Sequence, residues 1–311
     1  EALTGAIAKA EPSVVAISRL RNPDGETTTA VRGRNPVGAP ANPPVGIDPR
    51  DLSNPDYLPM PGDFGSGVVI GPKEILTAFH VVKGAVRIYV RAPGRQGFDA
   101  EVIAADPRSD LAVIRPRDFP NVPAPELTPI AMGKSDGLKK GSFLVVLGNP
   151  YHTARDGKAS ASWGILSNTT RRIIPPADSD LKDAHKLFRY QPTLLQLDTK
   201  LNLGMSGGAV VNLKGELVGI TTTGGNAEGF DAQAGYAIPL DALGRRAIEA
   251  LRQGKEVEYG FLGIRLREGA PSVVDGVEPG TPAAEGDLVI GDQILSVGGE
   301  PVREEAGVSL A

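Results

Sequence analysis

A serine set among glycines, Gly204-Met205-Ser206-Gly207-Gly208, is the segment of this chain best suited to covalent chemistry. Glycine allows dihedrals and close approaches that a Cβ forbids. Such a turn can present a hydroxyl nucleophile while its N–H groups point at an oxyanion developing on the attacked carbonyl. Taken alone, the same residues also suit an ordinary Gly-rich turn. The pattern G-x-S-x-G also marks the nucleophile elbow of α/β sheets, but there the histidine follows the serine. All three histidines here, His80, His152 and His185, precede Ser206. Alternation of strands with helices is missing too, so chain order excludes the elbow.

His80 ends the apolar run in GPKEILTAFHVVKGA, where a strand end beside a core can fix an imidazole. His152 (GNPYHTARDG) and His185 (LKDAHKL) lie in polar contexts and read as surface residues. Asp110, in ADPRSDLAVIR, directly precedes an apolar strand. On its own it would pass for a turn residue. With His80 and Ser206 it completes a His, Asp, Ser order, the order used by chymotrypsin-type barrels. In that arrangement the acid accepts the Nδ1–H of the histidine, which takes the serine proton at Nε2. No ligand-pair spacing supports a metal site, and this chemistry implies no cofactor.

Three such residues need a scaffold of many short strands. Runs such as SGVVIG, EILTAF, VRIYVRA, AEVIAA, LAVIRP, SFLVVLG, SWGILS, TLLQLD, GAVVN, ELVGITTT and YAIPL follow one another between turns from 65 to 240. With SVVAISRL (13–20) they make about a dozen strands, which suits two small barrels better than one. Gly (39) and Pro (27), roughly a fifth of the 311 residues, agree with a turn-rich all-β fold. A helix is predicted over 2–11, stopped by Pro12. Another is capped by Asp241, lined by Leu243, Ala247, Ile248 and Leu251, and ended by Gly254. Residues 21–62 hold nine of the 27 prolines and read as one long loop. Eight of the twenty residues in 171–190 are charged, which predicts an exposed loop. From about 256 a second, strand-rich unit begins, small enough to be marginal alone. Two domains are therefore expected, 1–255 and 256–311.

With 33 basic and 37 acidic residues, the net charge of −4 gives no basic field for nucleic acid. There is no cysteine, which excludes disulfides and thiolate catalysis but does not report the compartment. No apolar run reaches the ~18 residues that a spanning helix needs.

LTAFHVV, DPRSDLAVI, GNPY and LNLGMSGGAVVNLKGELVGITT together resemble the HtrA (Deg) family of serine endopeptidases. The resemblance runs from about residue 2 to the end, outside 21–62 and 171–190. It implies a chymotrypsin-like double β-barrel followed by a PDZ domain. EYGFLGI resembles the carboxylate-binding loop of that PDZ domain, and VEPGTPAAEGDLVIGDQILSVGGEPV its central strands. The PDZ domain is expected to be incomplete, ending near the start of its groove helix.

Carried over, His80 is the general base, Asp110 orients it and Ser206 is the nucleophile. Gly204 and Ser206 supply the oxyanion-hole amides. Leu201 and Ile220 are candidates for the primary specificity pocket, which predicts cleavage after small or medium aliphatic residues. Leu262, Gly263 and Ile264 would meet a peptide carboxylate. Loops 171–190, 199–205 and 222–236 would set the oxyanion turn. Met205 stands where the family often has Asn, and its side chain is expected to point away from the oxyanion. Ala78-Phe79 precede the histidine, where two Asn are common.

The resemblance also implies unfolded or misfolded polypeptides as substrates and peptide C-termini as PDZ ligands. It implies a homo-oligomer, most simply a trimer, and a periplasmic location after removal of a signal peptide. The contrasting function is a chaperone or scaffold with the oxyanion turn locked inactive. An ordinary digestive enzyme is disfavoured by the missing cysteines, the aliphatic pocket and the trailing unit.

Overall fold

The computed structural model describes residues 1–21, 64–120, 125–150, 157–171, 194–199, 201–222, 234–267, 270–297 and 300–302. Most of the loops expected at 21–62, 171–190 and 222–236, together with His152 and His185, lie outside them.

Twelve strands close into two barrels of six. The first comprises β1 (Val14–Arg21), β2 (Phe64–Gly71), β3 (Glu74–Ala78), β4 (Ala85–Ala92), β5 (Gln96–Asp106) and β6 (Leu111–Pro116), in the order β1-β2-β3-β6-β5-β4. The second comprises β7 (Phe143–Gly148), β8 (Ser160–Arg171), β9 (Leu194–Leu197), β10 (Ala209–Val211), β11 (Leu217–Thr222) and β12 (Gly235–Pro239), in the order β10-β11-β12-β9-β8-β7. Each apolar run read from the sequence is one of these strands.

The side-chain period explains why those runs are continuous rather than alternating. Successive residues point to opposite faces, and here both faces are covered. Val15, Val69, Ile75, Ala112 and Ile114 fill the first barrel, and Leu144, Val146, Leu195, Leu197 and Val210 fill the second. Their neighbours Val14, Val68, Leu76, Val113, Val145 and Leu147 join a third cluster outside the barrels. Burying each of these Val, Leu and Ile side chains contributes about 1.5–3 kcal/mol.

The third cluster also seats the helices. In α1 (Ala2–Ala10), Ala6 and Ala10 are buried; Pro12 sits in a 3-10 turn over Glu11–Ser13, so the helix ends one residue earlier than predicted. Phe79–Val82 forms a single helical turn, α2, directly after β3. Asp241 caps α3 (Ala242–Arg252) by accepting the Gly244 N–H, as its position predicts. Ala247, Ile248 and Leu251 are buried, but Gly244 rather than Leu243 occupies the fourth buried place. The small unit pairs β13 (Ile264–Arg267) with β14 (Ala270–Val277), adds the short helix Pro282–Glu285, and pairs β15 (Ser296–Val297) with β16 (Glu300–Pro301).

Candidate active site

The three predicted residues come from three chain segments, and the structure bonds two of them, His80 and Asp110, directly. His80 lies in α2, immediately past the end of β3. Asp110 ends the turn between β5 and β6, and Ser206 lies in the turn before β10. Pairing of β3 with β6 brings Ala78 opposite Leu111, which sets the histidine beside the acid.

His80 and Asp110 are tied at both backbone and side chain. The imidazole Nδ1 lies 2.8 Å from Asp110 Oδ2, and the His80 backbone N–H donates to Oδ1 at 3.0 Å. The Phe79 N–H donates to the Asp110 carbonyl at 2.8 Å. Asp110 holds a left-handed φ of 56°, which few side chains tolerate and aspartate tolerates better than most. Its side chain is 13% exposed and that of His80 34%, so the acid is enclosed while one edge of the imidazole remains open. Burial pushes the His80 pKa down, but the charge and hydrogen bond of Asp110 outweigh it. The net value lies above the ordinary imidazole range.

Two residues not singled out in the sequence complete this arrangement. Thr222, at the end of β11, donates its hydroxyl to Asp110 Oδ2 at 2.7 Å. Arg19 of β1, itself buried, donates to the carbonyls of His80 at 2.6 Å and Lys83 at 2.9 Å, capping the turn that carries the histidine. Generic strand residues of this kind carry no local signal. Only the barrel's closure places them.

The Ser206 turn is fixed by the strands on either side. Ser66 of β2 donates its N–H to the Ser206 carbonyl at 2.8 Å and its hydroxyl to the Gly204 carbonyl at 2.7 Å. Thr221 accepts the Gly208 N–H at 2.8 Å and donates to the Met205 carbonyl at 2.5 Å. Among the described residues, no acceptor meets the N–H of Gly204 or of Ser206. These two amides are therefore unpartnered among the described residues. Met205 is 3% exposed and packs inside the second barrel, away from the turn's outer surface.

The glycines here answer to space as well as dihedral. A Cβ on Gly207 (φ 81°) would lie 2.2 Å from the Ser66 carbonyl oxygen and 2.3 Å from Thr77 Oγ1. Gly207→Ala is therefore expected to cost at least ~1–2 kcal/mol from the left-handed backbone alone. The steric overlap adds to that and displaces Ser206. A lower urea midpoint together with lost turnover would bear this out; unchanged values for both would show that the turn is plastic.

The other predicted positions are more dispersed. Leu201 is half-buried at the edge of the second barrel's core, over Gly235. Ile220 is wholly buried in the cluster with Leu147, Ala209 and Ile238. It pairs with Ala209 and has no exposed surface. Leu262 and Gly263 lead into β13, whose first residue is Ile264. Their segment is held by Ala283 N–H to the Leu262 carbonyl at 2.9 Å and Glu278 N–H to the Gly263 carbonyl at 2.8 Å. Gly263 has φ 79°, and a Cβ there would meet Thr281 at 2.3 Å.

Comparison with known proteins agrees with this architecture. Residues 65–220 match the trypsin-like peptidase domain, and residues 252–306 match the PDZ domain. The chain is 31% identical over 320 residues to a probable periplasmic serine endoprotease DegP-like of Ectopseudomonas mendocina, covering 96% of this chain and 62% of that protein. It is 31% identical over 258 residues to the periplasmic serine endoprotease DegP of Escherichia coli K12, covering 78% of this chain and 50% of that one. The chain thus spans between half and two thirds of the length of these curated relatives. The solved HtrA-type protease AlgW with decapeptide superposes with a TM-score of 0.63 at 26% identity, covering 98% of this chain and 87% of that one.

Proposed function

The chain belongs to the trypsin-like peptidase family, and we propose that it is an HtrA-type serine endopeptidase hydrolysing unfolded or misfolded polypeptides. The observation that carries this reading is the enclosed Asp110–His80 pair beside a serine turn with two unpartnered amides. In this reading His80 Nε2 takes the Ser206 proton as Oγ attacks the scissile carbonyl. Asp110 holds the tautomer and stabilises the imidazolium. The Gly204 and Ser206 N–H groups receive the oxyanion, a role in which one donor is typically worth ~10²–10³ in rate. His80 then protonates the leaving amine, and water, activated by the same histidine, releases the acyl group.

An extended chain suits such a site, because a substrate must pair with a strand edge near the nucleophile. A folded domain presents no free strand of that length. Leu201 is aliphatic and uncharged, which favours a small or medium aliphatic residue before the cleaved bond. The peptidase unit, 1–255, would be followed by a PDZ unit, 256–311, whose Leu262–Ile264 loop receives peptide C-termini. Periplasmic residence follows the relatives, which are named for it. A homo-oligomer, most simply a trimer, follows the same family reading. Among the described residues, no helix is long and apolar enough to cross a membrane.

The test is a timed digest of reduced, unfolded casein with the product ends read by mass spectrometry. Ends accumulating after Val, Leu and Ala are expected. Cuts after Lys or Arg would overturn the specificity. Casein that stays intact but soluble would point to a holding protein instead.

A further inference from the structure

The segment leaving α3, Lys255-Glu256-Val257-Glu258-Tyr259-Gly260, runs toward β13 and is fastened to the barrels along its way. Val257 packs against the large core cluster. Arg246 of α3 donates to the Glu258 carbonyl at 2.8 Å. The helix is itself bound to the first barrel by an Arg252–Glu74 ion pair at 2.7 Å.

The next residue reaches the acid's own turn. Tyr259 donates its hydroxyl to Oδ2 of Asp106, and the Arg108 guanidinium lies over the Tyr259 ring, 3.9 Å from its centroid. Asp106 ends β5, and its carboxylate accepts the backbone N–H groups of Arg108 at 3.1 Å and Ser109 at 3.0 Å. Asp110 follows directly, in its left-handed conformation. One carboxylate thus joins the interdomain segment to the two amides that shape the turn. Burial, then the hydrogen bond and charge of Asp106, push the Tyr259 phenol above its ordinary value, so it remains a donor.

We propose that Tyr259 is a positioning residue for Asp110: by anchoring Asp106 it holds the turn that presents the acid to His80, and couples that acid to the placement of the segment between the two units. The proposal rests on the triad reading above. Removing the phenolic O–H takes a charge-assisted hydrogen bond from Asp106 and frees the outer side of the turn. Asp110 then loses part of what enforces its backbone, and its bonds to His80 lengthen. Misplacement by an ångström can cost ~10²-fold in rate.

Tyr259→Phe in the full chain keeps the ring, and with it the stacking of Arg108, while deleting the hydroxyl. Two readouts separate positioning from mere stability. The first is an imidazole NMR titration of His80, assigned by its disappearance in His80→Gln; the chain has three histidines, so His152 and His185 serve as internal references. The second is kcat, KM and the acid limb of kcat/KM on an unfolded peptide substrate. Among the described residues, the charged groups bonded to His80 are Asp110 from the β5–β6 turn, at the ring and the backbone N–H, and Arg19 from β1, at the carbonyl. Of these, Asp110 is what raises the imidazole against burial. A loosened Asp110 therefore lowers the His80 midpoint, and the acid limb moves down with it. We expect kcat to fall about tenfold with KM within about twofold of wild type.

An unmoved His80 midpoint in a variant that only melts earlier would overturn the proposal. So would a lowered kcat with no shift of the limb. If Tyr259→Phe folds too poorly to titrate, Asp106→Asn, which weakens the same anchor together with the two amide bonds, must shift the midpoint downward at least as far. Should the wild-type chain show no turnover while the His80 midpoint still moves in Tyr259→Phe, the hydrolytic reading fails and the coupling stands. Wild-type turnover with an unmoved midpoint sinks the coupling alone.

Discussion

Ser206→Ala is expected to lower kcat for casein hydrolysis by about 10⁶-fold while leaving the fold intact. The structural duties of this residue belong to its backbone: the Ser206 carbonyl accepts the Ser66 N–H at 2.8 Å, and alanine keeps that bond. Its φ is not left-handed, unlike those of its neighbours Gly204 and Gly207. The stability read from urea unfolding should therefore stay within the roughly ±0.5 kcal/mol typical of neutral substitutions. Loss of the hydroxyl removes the nucleophile while His80, Asp110 and the two amides remain. Residual catalysis of roughly 10³–10⁴ over water then comes from binding and the oxyanion donors. The same variant should resist a serine-directed fluorophosphonate that labels the wild-type chain once. If Ser206→Ala retained more than a few per cent of turnover, the acyl group would have to form on another residue. If neither chain turned over, the pair of free amides would be serving a binding protein.

The three candidate residues were readable in the sequence because their signals are local. A histidine past an apolar strand, an aspartate before one and a serine among glycines each stand out, and chain order joins them. The strands were readable because both faces of each barrel wall are buried, so Leu144 through Leu147 form one apolar run. What could not be read is what barrel closure brings together. Thr222 and Asp110 are 112 positions apart, and Ser66 and Gly204 are 138 apart. Neither threonine nor serine in a strand announces a partner. Ile220 shows the same limit from the other side. Its aliphatic character fitted a pocket; in the fold it pairs with Ala209, and both lie in one buried cluster. A strand's register decides which side chain faces a substrate, and one sequence does not give it.

Asp110→Asn tests the site's electrostatics more sharply than any deletion, because shape is conserved and only the donor pattern changes. Both carboxylate oxygens receive donors: Oδ1 takes the His80 backbone N–H, and Oδ2 takes His80 Nδ1–H and the Thr222 hydroxyl. An asparagine offers one acceptor oxygen and one NH₂. The backbone N–H of His80 cannot become an acceptor, so the amide oxygen must take the Oδ1 place. The NH₂ then lies where Oδ2 was. Thr222 adapts by rotating its hydroxyl and accepting. His80 adapts only by giving up the proton on Nδ1, which moves it to Nε2. In that tautomer Nε2 cannot receive the Ser206 proton, so kcat is expected to fall about 10⁴-fold. The charge that held the imidazole above its ordinary range is also gone, while burial, which lowers it, remains. The His80 midpoint should therefore drop below that of the wild-type chain, carrying the acid limb of the residual kcat/KM to lower pH. A tenfold or smaller loss of kcat, with an unmoved limb, would mean that Asp110 shapes its turn without directing His80.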